Sequence, residues 1–191
     1  MSDVARARDI VALGQSIETL TVGRVDGSDM YRAALTQAVS ALDHYVHGVV
    51  LDRATDIVLG RSTTTGSAGK VGMSFSAVGQ VLSASTPADK ELAARTQVSA
   101  RLSLETYQRS DDIGAALAMV GIPKVWSSVF GGAAGSTTVA LGLIVTRRNR
   151  IVHQSDSDPL TPGALTPLLS ADALASIATV ESIVVAIDSH C

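Results

Sequence analysis

Apolar residues recur at three- and four-residue spacing along most of the chain, and no strict period-two alternation interrupts them. Val4, Ile10, Leu13, Ile17 and Leu20 set out a first helix over 4–20, with Arg6, Arg8 and Asp9 between them. Val25-Asp-Gly-Ser is turn chemistry, and Ser28 is placed to cap a second helix. The longest pattern runs from Asp29 to about Leu59, carried by Leu35, Val39, Leu42, Val46, Val49 and Val50. Gly60 stands where a helix stops. Residues 61–85 read as an exposed loop holding one short helix near 76–82. Thr86-Pro87 opens a helix with an N-cap and a proline at its first position, and the pattern carries it to about Gln108. Ser110 opens a shorter helix ending near Gly121, ahead of Pro123. The glycine-rich 130–136 stretch reads as a flexible joint before a helix over 137–154. A loop at 158–163 precedes a last helix from Ser170 to Asp188. The expectation is an all-α fold in one domain, 1–191.

Composition sharpens this picture. Aromatic residues are 3% of the chain and hydrophobic residues 46%, so the core must be built from Ala, Val, Leu and Ile, which favours closely packed helices over a β-sandwich. Only 17% of residues are charged, which excludes a disordered polyelectrolyte. A net charge of −3 is not the footprint of a protein that coats nucleic acid, so any RNA site has to be a local basic cluster. The one cysteine, Cys191, excludes an internal disulfide framework and a thiolate-rich zinc site. The N-terminus leads into no apolar signal region, and no uninterrupted apolar run approaches the roughly 20 residues of a membrane span. A soluble, cytoplasmic protein with no membrane partner is the expectation.

One segment departs from the rest. Thr146-Arg-Arg-Asn-Arg-Ile-Val-His-Gln-Ser-Asp puts three arginines and a histidine at the polar end of an apolar helix. Cations in a last helical turn complement the macrodipole and satisfy free carbonyls, and that alone accounts for their position. The same residue types also suit metal-free RNA cleavage. That reaction needs a proton acceptor at the 2′-OH, a proton donor at the leaving 5′-oxygen, and positive charge around the phosphorane-like transition state. A histidine titrates in the right range, and arginine presents a planar fork to phosphate oxygens. On an unbroken helix Asn149 and His153 share a face, whereas Arg148 and His153 lie about 140° apart around the axis. Asp156 is placed to hold the imidazole if the helix persists that far.

Arg148-Asn149-Arg150-Ile151-Val152-His153 resembles the Arg-x4–6-His signature of the HEPN (higher eukaryotes and prokaryotes nucleotide-binding) superfamily, in which an Asn after the Arg is favoured. Upstream, Ala41-Leu-Asp-His-Tyr-Val-His-Gly-Val-Val is similar to the amphipathic helix of its RiboL-PSP-HEPN subgroup. The resemblance implies a HEPN-like helical bundle with additional helices, dimerising so that two motifs meet in one cleft. The implied activity is metal-independent endoribonuclease cleavage to 2′,3′-cyclic phosphate and 5′-OH ends, with no cofactor, in a toxin or defence role. It further implies RNA as substrate, a homodimer, and an antitoxin or inhibitor protein as partner. Carried over, Arg148 binds the scissile phosphate, His153 is the acid–base and Asn149 orients. Asp43 positions the motif arginine, with His47 on the same face, and Arg147 and Arg150 are expected at the RNA. Ser155 stands where some members carry a modifiable tyrosine, which removes that mode of neutralisation.

Other readings stay open beside this one. Asp43 and His47 are nearly as well read as a structural polar pair at the dimer interface. His44 and His47 at i, i+3 make a weak metal signal without a nearby Cys or Glu, so no metal is expected. Gly66-Ser-Ala-Gly-Lys-Val lacks the first glycine and the magnesium-binding hydroxyl of a phosphate loop. Phe75, Trp126 and Phe130 read as core anchors. A non-catalytic HEPN-like RNA-binding or regulatory module is the alternative function, and a helical interaction protein is a third.

Overall fold

A computed structural model describes residues 2–63, 72–161 and 163–191, and the fold is all-α. Its helices are α1 (Ser2–Leu20), α2 (Ser28–Val58), α3 (Phe75–Ser83), α4 (Pro87–Leu102), α5 (Ser110–Met119), α6 (Val125–Phe130), α7 (Ala134–Gln154) and α8 (Ser170–Asp188). The only β feature among the described residues is an isolated antiparallel bridge between Ser157 and Leu165. The chain divides into two compact units. Unit 1 joins Met1–Leu42 to Val129–Cys191, and unit 2 is Asp43–Ser128, with α2 running unbroken through the boundary.

Unit 1 is built on small side chains. The buried face of α1 is Val4, Ala7 and Val11, whereas Leu13 and Leu20 are exposed. Of the expected stripe, Val4 is buried and Ile10 and Ile17 are half-buried, while Ala7 and Val11 complete the buried face. Alanine at the contact lets helix axes approach closely, and that favours the Ala7 face. It packs with α8, which buries Ala173, Ile177, Val180, Ile183, Val184 and Ile187, and Arg8 Nη1 donates to Glu181 Oε1 at 2.8 Å. From α2 come Tyr31, Ala34, Leu35, Ala38, Val39 and Leu42, and from α7 Leu141, Ile144 and Val145. The turn between α1 and α2 is tied by Glu18, which accepts from Gly27 N–H at 3.1 Å and from the Tyr31 hydroxyl at 2.8 Å. Gly14 and Gly27 are where this turn touches itself. A Cβ on Gly27 would lie 2.7 Å from the Gly14 carbonyl oxygen, and one on Gly14 would lie 2.8 Å from Tyr31 Cε1.

Unit 2 buries Val46, Val50 and Ala54 of α2, Val98 and Leu102 of α4, and Ile113 and Leu117 of α5. Ser74 Oγ caps α3 by accepting from Ala77 N–H at 3.1 Å, and Thr86 Oγ1 caps α4 by accepting from Asp89 N–H at 3.1 Å. α4 ends at Leu102, six residues short of the expected Gln108. The cause is long-range: Asp43 Oδ1 accepts from Tyr107 N–H at 2.6 Å and Oδ2 from Gln108 Nε2 at 3.1 Å, holding 103–109 as a turn.

Several sequence expectations are corrected. The 130–136 joint is helical, with a 3-10 turn at Gly131–Ala133 leading into α7 from Ala134. Phe75 is 98% exposed and anchors no core. The phosphate-loop look-alike at 66–71 lies outside the described residues. Two stretches, Val125–Gln154 and Ser170–Asp188, are long and apolar enough by composition to cross a membrane, since a span tolerates the few charges that broke the uninterrupted runs. A third of the α8 window is buried in unit 1, and its Glu181 is paired with Arg8.

This packing sets two expected outcomes. Gly27→Ala forces backbone apart from backbone, and is expected to lower unfolding free energy by about 1–3 kcal/mol in urea titrations. Arg8 holds the Glu181 carboxyl below its ordinary 4.5 through their hydrogen bond. A carboxyl lowered on folding stabilises above its unfolded value and loses that contribution as pH falls through the folded one. The stability gap between wild type and Glu181→Gln, measured by thermal melts, is therefore expected to be open at pH 7 and to close as pH drops below 4.5.

Candidate functional site

The end of α7 is fixed by one buried carboxylate in unit 1. The helix runs without a break through Arg147, Arg148, Asn149, Arg150 and His153 to Gln154. Ser155 and Asp156 then adopt left-handed backbone, φ 49° and 53°, which stops the helix and turns the chain back. Asp156 N–H donates to the Arg150 carbonyl at 3.1 Å, and Asp156 O accepts from Thr166 N–H at 2.9 Å. The returning 157–166 segment is thereby laid alongside the helix end.

Asp156 itself is fully buried. Its Oδ2 accepts from Arg32 Nε at 2.9 Å and from Arg147 Nη2 at 2.7 Å. Both arginines also donate to the Thr166 carbonyl, at 2.9 and 2.8 Å, and Arg147 reaches Pro167 O at 3.1 Å. Arg32 Nη1 completes its set with Ser28 Oγ at 2.6 Å and Asp29 Oδ1 at 3.3 Å. Arg150 Nη2 donates to Thr166 Oγ1 at 2.9 Å and Ser157 O at 3.1 Å. Within the cluster, Asp156 Oδ1 and Arg147 Nε have no protein partner.

The arginines therefore divide by task. Arg147 and Arg150, expected at RNA, are committed to holding the 156–167 return. Arg148 is half-buried and in no ion pair among the described residues; its Nη1 donates to Asn149 Oδ1 at 3.1 Å and its Nε has no partner. His153 is exposed, with no hydrogen bond or ion pair among the described residues. The reading that Asp156 holds the imidazole is overturned, because the helix stops at Gln154 and the carboxylate is turned inward onto two arginines.

Asp43 and His47 sit in unit 2. Besides the turn at 107–108, Asp43 Oδ1 lies 3.2 Å from His47 Nδ1. His47 Nδ1 is also 2.9 Å from the Asp43 carbonyl oxygen, and Nε2 is 3.2 Å from Leu102 O. The ring rests against Tyr107 with centroids 4.4 Å apart. All these partners are structural, so the pair clamps α2 to the α4–α5 turn. Among the described residues no three His, Cys, Asp or Glu side chains gather as a metal set.

Arg32 is the residue that sequence reasoning passed over. Its signal was present: a lone cation between Tyr31 and Leu35 on the apolar stripe of α2 needs a buried anion. The chain matches no family model, no curated protein and no solved structure.

Removing one partner of a buried ion pair leaves the other charge uncompensated. Asp156→Ala is expected to cost about 3–5 kcal/mol in denaturant unfolding. A loss below about 1 kcal/mol would show that the arginines are satisfied without it.

Proposed function

We propose that the chain is a metal-independent endoribonuclease of the HEPN type, cytoplasmic and acting in a toxin or defence role. The observation that supports this most is the state of Arg148 and His153. On a helix end where the neighbouring arginines are consumed by structure, these two are left without ionic partners, and the histidine is open to solvent. A purely capping arginine would be spent on carbonyls, as Arg147 and Arg150 are.

In this reading Arg148 holds a non-bridging oxygen of the scissile phosphate and offsets charge that grows in the phosphorane. His153 moves the proton. The RNA 2′-oxygen bonds to phosphorus as its proton is taken, the P–O5′ bond breaks, and the 5′-oxygen leaves protonated. The products are a 2′,3′-cyclic phosphate and a 5′-OH. Asn149, one turn before His153 on the same face, orients the phosphate or the ring. Arg147 and Arg150 contribute positive potential from where they are anchored, without offering free forks.

One histidine per chain serves one proton transfer at a time, so acid and base together call for a second copy. The surface for it lies on the same helix. Gly135, Val139, Gly142, Leu143 and Thr146 are exposed at three- and four-residue spacing along α7 toward His153, with Val139 64% and Leu143 68% exposed. An antitoxin or inhibitor protein is the further proposed partner.

Purified protein incubated with RNA in excess EDTA is expected to yield cyclic-phosphate ends. His153→Ala is expected to reduce the rate by roughly 10²- to 10⁴-fold while RNA binding persists. An undiminished rate in that variant removes the proposal. Salt-sensitive binding without cleavage by wild type would point to the RNA-binding or regulatory module.

A further inference from the structure

Unit 2 contains a cavity of about 330 Å³ that the proposed reaction does not use. It lies between the end of α4, the 103–109 turn and α5. Leu102, Ala116 and Met119 give it an apolar wall, while Asp112 stands exposed at its mouth. Arg101 also lines it, but Arg101 Nη1 donates to Glu105 Oε1 at 2.6 Å, so these two charges offset each other. Asp112 has no ion pair or hydrogen bond among the described residues, and among the described residues that line the cavity its charge has no side-chain counterpart.

Tyr107 is the second feature. It lines the same cavity and is only 6% exposed, yet its hydroxyl has no hydrogen-bond partner among the described residues. Its oxygen is not one of the enclosed, unsatisfied atoms among the described residues, so the ring is buried while the hydroxyl is not sealed in. Burial raises the phenol above its ordinary ionisation range, so it stays protonated and able to donate. Nor is the ring free to turn away. Its backbone N–H is held by Asp43 at 2.6 Å and its face rests against His47.

We propose that this cavity binds a small organic amine, with the ammonium at Asp112, an apolar body along Leu102, Ala116 and Met119, and an acceptor oxygen at the Tyr107 hydroxyl. The volume is within the range of small-molecule sites. The leftover carboxylate disfavours phosphate and carboxylate ligands and gives a charge-assisted hydrogen bond to an ammonium. The proposal uses neither Arg148 nor His153 and stands apart from the ribonuclease reading.

Three probes of one shape separate the charge from the fit: tyramine as cation, 4-ethylphenol as neutral, and 4-hydroxyphenylacetate as anion. By calorimetric titration of the full chain at neutral pH, tyramine is expected to bind saturably and about tenfold more tightly than 4-ethylphenol. The anion is expected not to bind. Asp112→Asn should bring tyramine down to the level of 4-ethylphenol. Tyr107→Phe keeps the ring against His47 and should weaken both ligands about fivefold. His153→Ala should bind tyramine as wild type does, whatever it does to RNA. Equal affinity for the three probes, no saturation by any of them up to about 10 mM, or an unchanged tyramine affinity in Asp112→Asn overturns the proposal.

Discussion

A carboxylate without water must be surrounded by donors, and in unit 1 Asp156 meets that condition with two arginines on one oxygen. Desolvating three charged groups costs several kcal/mol per ion, so the cluster persists because its geometry is nearly complete. It serves less as a source of stability than as a fixed point. Arg32 belongs to α2, Arg147 to α7 and Thr166 to the return loop, and all meet at Asp156. The left-handed pair at 155–156 is tolerable there: the backbone it strains is bonded on both sides, to Arg150 O and from Thr166 N–H. Where α7 ends, and so where His153 is presented, depends on that one carboxylate.

The rest of unit 1 obeys a different constraint. With so few aromatic residues, helices hold together through close approach of small side chains rather than large interlocking ones. That explains why α1 buries Ala7 and exposes Leu13 and Leu20, and why Gly14 and Gly27 sit within reach of each other's backbone. Such packing is intolerant of added methyl groups where backbone faces backbone. It also leaves larger apolar residues unused. Leu143 and Val139 on α7 are the clearest of these, and they give the exposed face of that helix its apolar character.

Helical periodicity was enough to read most of the elements, because a three/four pattern of apolar residues is a local property. Thr86-Pro87 announced α4 for the same reason. What escaped was set by contacts distant in sequence. α4 stops at Leu102 because Asp43, more than fifty residues upstream, captures Tyr107 N–H, and nothing near 103 says so. The 130–136 stretch looked flexible from its glycines, yet helix continues through it once Gly131 takes a left-handed turn. In the candidate site, the arginine cluster was legible but its division of labour was not. Arg147 and Arg148 are adjacent letters of the same type, and only the fold of the return loop separates an anchor from an available fork.

That separation follows from helix geometry. Arg147 and Arg150 are three residues apart and share a face, the one that meets Asp156 and Thr166. Arg148 lies about 100° away from Arg147, outside that face. Anchoring therefore consumes one side of the helix and leaves the neighbouring side unspent. Arg147 reaches the carboxylate and both carbonyls through one nitrogen, Nη2. Arg147 and Arg150 together tie down the turn just beyond His153, whose imidazole is exposed. In the proposed reaction, rigidity beneath an exposed imidazole matters, since a donor that must first be positioned loses much of its effect in the transition state.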